Sequence, residues 1–175
     1  RKLPEEVEVL VILEQAKMPS YCQNQQDFSL FSLLSPRLVM FLGKHSRDEI
    51  LQDLTDLVDA AGLLEDKQAF FDALVRRENI MSTGIGMGVA IPHGKLESCS
   101  NFFIAIGIHT QGILWDAIDG ALVRLVFLIG GPENAQAEYL KLLSTLTLSL
   151  REESRRQQLL QVNTIEEVMN VFVGM

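Results

Sequence analysis

Two cysteines in 175 residues, Cys22 and Cys99, form no Cys-x-x-Cys pair. A disulfide framework and a thiolate zinc site are both excluded as organising principles. No uninterrupted apolar run approaches the ~18 residues of a membrane span. Glu5, Glu6 and Glu8 interrupt the only apolar stretch near the start, so no cleavable signal segment is read there. A reducing cytoplasm is the expected compartment. Basic residues are few, 15 against 23 acids, for a formal net charge of −8. That balance disfavours nonspecific binding to nucleic acid or an anionic membrane, whose phosphates need clustered Lys and Arg. Internal repeats and low-complexity tracts are absent. Three histidines without His-x-x-x-His spacing give no basis for a zinc or iron site, and no cofactor is expected.

What is present is a chain that is 47% hydrophobic and 22% charged, enough for one domain with a full core. Residues 1–27 read as an N-terminal extension and linker, or the end of an upstream domain, since the first residue is Arg1; residues 28–175 read as the domain itself. Leu3 to Lys17 fits a helix opened by Pro4 or a strand through Val7, Val9, Val11 and Ile12, and Met18 to Asp27 is turn-prone. After Pro36, Leu38 to Leu42 reads as a buried strand. Ser46 and Glu49 form a capping box for a helix to about Ala61, where Gly62 stops it. A second helix is expected from Asp66 to about Arg77. Phe102 to Ile108 and Leu122 to Ile129 read as strands, the second covered on both faces. Pro132 is expected to start a long helix striped by Tyr139, Leu140, Leu142, Leu143, Leu146 and Leu150, and Thr164 with Glu167 caps a last one. The fold class is α/β: a mixed central sheet with helices on both faces.

The chemistry concentrates in Ser82-Thr83-Gly84-Ile85-Gly86-Met87-Gly88-Val89-Ala90-Ile91-Pro92-His93-Gly94-Lys95. Pro92 fixes its own φ and lacks an N–H, and Gly94 adds no Cβ, so His93 is expected at a strand end facing outward. A neutral imidazole is available near pH 7, its reference pKa being ~6.5. A carbonyl holding one ring nitrogen as N–H would leave the other lone pair aimed outward, as a nucleophile. Two nucleotide motifs fail. Gly88 and Gly94-Lys95 are one residue too far apart for a phosphate loop, with Leu96 in place of Ser or Thr, and Val89 stands where the dinucleotide fingerprint needs its third glycine.

This run resembles the active-site segment of the enzyme IIA domains of the bacterial phosphoenolpyruvate-dependent phosphotransferase system, of the fructose/mannitol and nitrogen-regulatory type. Leu33-Leu34-Ser35-Pro36, Arg77-Glu78-Asn79, Trp115-Asp116-Ala117-Ile118-Asp119-Gly120 and the strand ending at Gly130-Gly131-Pro132 agree in order and spacing. The resemblance implies that His93 carries phosphate and that Arg77 lies beside it, its planar fork matching phosphoryl oxygens better than lysine's ammonium. It also implies a second histidine in the long helix, where this chain has Tyr139. The implied donor is a histidine-containing phosphocarrier protein. The implied acceptor is a IIB domain or a regulatory target; a non-catalytic interaction module on the same fold is the competing class. An apolar rim of Ile85, Met87 and Val89 is expected around the ring. Asp116 and Asp119 read as turn residues, Trp115 as core or rim packing, and His45 and His109 as solvated.

Overall fold

The computed structural model describes residues 29–175. The expected Leu3–Lys17 segment and the Met18–Asp27 linker lie outside the described residues. Two single-turn 3-10 helices, Phe31–Leu33 and Pro36–Leu38, lead into β1 (Val39–Phe41). Then come α1 (Arg47–Ala60), α2 (Lys67–Ile80), the short strands β2 (Gly84–Gly86), β3 (Val89–Ala90) and β4 (His93–Leu96), and the long strands β5 (Phe103–Ile113) and β6 (Val123–Pro132). Three helices close the chain: α3 (Gln136–Leu150), α4 (Glu153–Gln161) and α5 (Ile165–Val171).

The six strands form one mixed sheet in the order β1-β5-β6-β3-β2, with β4 also on β6. β5 and β6 run antiparallel, β1 joins β5 in parallel, and β3 and β4 succeed each other in parallel along the remaining edge of β6. Strand alternation divides the core into two. Ile104, Ile106 and Ile108 point with Phe127 and Ile129 toward α3, α4 and α5; Phe103, Ala105 and Leu128 point toward α1 and α2. The expected sheet with helices on both faces is therefore present.

The capping signals act as expected. Ser46 Oγ accepts from Glu49 N, Asp66 Oδ1 accepts from Ala69 N at 2.9 Å, and Thr164 Oγ1 accepts from Glu167 N. Several boundaries differ from expectation, among them the end of β5, expected at Ile108 and found at Ile113. Helix α2 continues one turn past Arg77 to Ile80, because Arg77 and Glu78 are buried and bonded rather than fraying into solvent. Pro132 ends β6 instead of opening α3: pairing with β5 stops at Gly130, so the missing proline N–H breaks no bond to β5, and the helix begins after Ala135. Helix α4, weakly amphipathic and polar, follows where no separate element was expected.

Candidate active site

The site forms where α2 crosses β4. Phe70, Leu74 and Arg77 share one face of α2, spaced by turns of the helix, and that face packs on the sheet. Gly94 makes the close approach possible: a Cβ there would stand 3.2 Å from Phe70 Cε2 and 3.4 Å from Leu74 Cδ2. Its role is thus to admit the helix rather than to relieve the histidine ring.

His93 begins β4 opposite Ile129 of β6. Its Nδ1 lies 2.8 Å from Ile91 O. A carbonyl can only accept, so Nδ1 carries the proton, as expected from the sequence. Arg77 Nε donates to His93 Nε2 at 2.9 Å. Guanidinium can only donate, so Nε2 holds the lone pair, and the two contacts together specify a neutral ring of one tautomer. Arg77 Nη1 donates to Met81 O at 2.8 Å. The ring does not face outward: His93 is 2% exposed and Arg77 6%.

Tyr139, in the first turns of α3, sits beside the histidine with ring centroids 5.5 Å apart at 56°. Its own burial is complete, and Phe102 stacks on it at 6.2 Å. Lys95, two residues past His93, places Nζ 4.6 Å from the Tyr139 ring centroid and donates to Gln136 Oε1 at 2.7 Å. The fold therefore gathers Arg77, His93 and Tyr139 together, with Lys95 as a second cation against the Tyr139 ring. Sequence reading gave Lys95 no role; its alternation with His93 on one strand is the signal that places both on one face.

The glycine loop is a tight β2–β3 connection. Gly86, Met87 and Gly88 all have positive φ, at 94°, 61° and 74°. Asp119 braces this turn, as its reading as a turn residue requires: Oδ1 accepts from Ala121 N and Oδ2 from Met87 N, each at 3.0 Å. These backbone donors, Ala121 first, hold its carboxyl below the usual range. Asp116 is exposed with φ 60°, also a turn position.

Two further expectations need correction. The rim of Ile85, Met87 and Val89 does not surround the ring, because β2 and β3 pair within the sheet; Val89 is fully buried, Ile85 nearly so, and only Met87 at the turn is partly exposed. The large exposed apolar side chains flanking the loop are Ile80, Met81, Leu114, Ile118 and Leu122. His109 is buried, not solvated. Its Nε2 donates to Lys44 O at 2.9 Å and its Nδ1 accepts from Gly112 N at 2.9 Å, completing backbone bonds where the β5–β6 register shifts. His45 is exposed, as expected. Trp115 belongs to the core.

Glu78 was quoted in the sequence pattern without a role. The structure buries it, 3% exposed, accepting from Thr83 N at 3.1 Å, from the Thr83 hydroxyl and from Trp115 Nε1 at 3.3 Å. Cys99 is a free buried thiol pushed up by burial and by Glu65, which suits an inert packing residue. Among the described residues, no group of three or more His, Cys, Asp or Glu could hold a metal.

Comparison with known proteins places this geometry in a family. Residues 32–174 match the model described as "Phosphoenolpyruvate-dependent sugar phosphotransferase system, EIIA 2". The fructose-specific EIIABC component of Bacillus subtilis is 36% identical over 72% of this chain, which spans 20% of that longer protein. A nitrogen regulatory protein of Pseudomonas aeruginosa is 36% identical over 73% of this chain and 83% of its own length. The crystal structure of nitrogen regulatory protein IIA-Ntr from Neisseria meningitidis superposes with a TM-score of 0.76 at 30% identity, covering 82% of this chain and 99% of that one. On this footing the chain belongs to the EIIA 2 family of the phosphoenolpyruvate-dependent sugar phosphotransferase system, a family of phosphotransferase components that carry phosphate on histidine.

Proposed function

We propose that His93 is the residue that takes the phosphoryl group, with a histidine-containing phosphocarrier protein as donor. The observation that carries this reading is the pair of contacts on one imidazole: Nδ1–H tied to Ile91 O and the Nε2 lone pair met by Arg77 Nε at 2.9 Å. In the transfer, the Nε2 lone pair forms the new N–P bond while the donor histidine's N–P bond breaks, its electron pair returning to the donor ring. The proton on Nδ1 stays in place, held by Ile91 O. Arg77 then exchanges a ring nitrogen for phosphoryl oxygens, so the cation that covers the free ring also stabilises the charge that arrives. Catalysis is positioning and charge stabilisation. Tyr139 supplies a phenol where the family's second histidine is expected; it can donate a hydrogen bond but does not shuttle charge near neutral pH.

The acceptor we favour is a regulatory protein that distinguishes the phosphorylated from the free state, in the nitrogen-regulatory branch. The nitrogen regulatory relatives support this reading. The fructose-specific relative supports a second reading, in which phosphate passes to a IIB cysteine. The exposed apolar group at Ile80, Met81, Leu114 and Ile118 suits either partner. Residues 28–175 are taken as the functional domain and 1–27 as an extension. No described helix is long and apolar enough to cross a membrane; a cytoplasmic location fits the proposed donor.

Incubation with phosphoenolpyruvate and the two general carrier proteins of the system tests the assignment. Intact-mass analysis should show one phosphate, acid-labile and base-stable, lost in His93→Ala. A full phosphate increment on the His93→Ala chain would place the chemistry on another nucleophile. No increment on the wild-type chain would leave the non-catalytic interaction module as the better reading.

A further inference from the structure

A buried carboxylate next to the proposed phosphate-binding arginine has bonds that run, one residue at a time, to the histidine. We infer that Glu78 is a positioning residue that sets the tautomer and aim of His93; this rests on the reading of His93 as phosphoryl acceptor. Glu78 Oε2 accepts from Thr83 N at 3.1 Å, and Oε1 accepts from the Thr83 hydroxyl and from Trp115 Nε1. With both of its donors fixed on one side chain, Thr83 has a single orientation. Its carbonyl accepts from Ile91 N at 3.0 Å. The carbonyl of Ile91 in turn accepts from His93 Nδ1 at 2.8 Å.

The other face of the ring depends on the same residue. Arg77 precedes Glu78 in the last turns of α2, and its Nε meets His93 Nε2. Anchoring the end of α2 to Thr83 and Trp115 therefore fixes the backbone from which Arg77 reaches. One carboxylate thus governs the ring nitrogen that keeps its proton and the one that attacks. Glu78, Thr83 and Trp115 are each 3% exposed or less, so water does not compete for these bonds. An apolar residue at position 78 would leave Thr83 N–H and Trp115 Nε1–H without this acceptor.

Glu78→Gln is the informative variant because it keeps volume and changes one acceptor into a donor. Thr83 N–H faces one carboxylate oxygen and Trp115 Nε1–H the other, so either orientation of the amide sets N–H against N–H. Two readouts are taken. Nitrogen-15 spectra of the imidazole should show protonated Nδ1 and bare Nε2 in the wild type and a tautomer mixture in Glu78→Gln. The phosphorylation rate at saturating donor should fall roughly tenfold or more, in line with loss of a partner that orients a reacting histidine, while the donor concentration giving half-maximal rate stays unchanged. Thr83→Val should shift the spectrum in the same direction, and Thr83→Ser, which keeps the hydroxyl, should restore it. A folded Glu78→Gln or Thr83→Val chain with wild-type His93 nitrogen shifts overturns the inference. So does unfolding of both variants, since Glu78 would then hold the fold rather than aim the ring. Absence of phosphorylation on wild-type His93 would instead remove the carrier reading, with the tautomer spectra still judging Glu78.

Discussion

Gly94→Ala places a methyl group between β4 and α2, where the nearest atoms are Phe70 Cε2 at 3.2 Å, Leu74 Cδ2 at 3.4 Å and Phe70 Cδ2 at 3.6 Å. Both side chains are fully buried, so neither can rotate into solvent to make room. Comfortable carbon contacts begin at ~3.5–4.0 Å, so the helix must withdraw by a few tenths of an ångström. Overpacking of this kind costs about 1–3 kcal/mol. The functional effect should exceed what stability alone predicts, because Arg77 lies on the same face of α2 as Leu74 and its Nε sits 2.9 Å from His93 Nε2. If a misplacement of ~1 Å costs ~100-fold in rate, a withdrawal of about half that costs roughly tenfold. Urea unfolding gives the first quantity and rapid-quench phosphorylation at limiting donor gives the second. Phe70→Leu in the Gly94→Ala background should recover part of both, giving a coupling that the single variants lack. A Gly94→Ala chain with wild-type stability and wild-type rate would show that helix approach does not set the arginine–histidine distance.

Arg77→Ala should slow transfer by ~10²–10³ while the chain stays folded, and Arg77→Lys should recover only part, because a single nitrogen does not reproduce the fork whose Nε and Nη1 donate to His93 Nε2 and Met81 O; equal rates for Arg77→Ala and wild type at limiting donor would return the residue to a structural role. Tyr139→His should fold with a loss of about 1–2 kcal/mol, for the smaller ring in a fully buried space, and transfer at least as fast as wild type; a slower rate measured by quench would show that the phenol contributes something imidazole does not replace. Asp119 makes stability acid-dependent in a definite direction. Its folded pKa lies below the unfolded value of ~3.9, so its contribution is complete above that value and is lost as pH falls through the folded pKa. Denaturation midpoints between about pH 5 and 2 should therefore fall less steeply for Asp119→Asn than for wild type; superimposable profiles would show that the Gly86–Gly88 turn does not depend on this carboxylate.

Periodicity and capping residues made the helices α1, α2, α3 and α5 legible, since each carries its own local signal: Ser46, Asp66 or Thr164 at the start, or a leucine stripe along α3. The boundaries that moved are those decided by tertiary contact. Helix α2 gains its last turn from the partners of Arg77 and Glu78, and β6 reaches Pro132 because β4 pairs with its end. The proline-histidine-glycine run pointed to His93 and the Arg-Glu dipeptide to Arg77. Glu78, Thr83 and Lys95 were harder to see because their roles arise from pairings between residues distant along the chain, such as Trp115 with Glu78 and Gln136 with Lys95. His109 misled for the same reason: nothing local to a histidine at a strand end shows that it will take the place of missing ladder partners.

The gap between β3 and β4 has a dynamic consequence. A regular strand uses each of its peptide groups against its neighbours, yet here Ile91 gives its N–H to Thr83 and its carbonyl to His93, and Pro92 has no N–H at all. One backbone bond ties this stretch to β6, from Ile129 N to Pro92 O at 2.9 Å. Hydrogen exchange should find a soft point there, flanked by well-protected amides of β5 and β6. If His93 carries the phosphoryl group as proposed, its tetrahedral phosphorus has to be accommodated directly beside this seam, between the two stretches of β6 that β3 and β4 hold.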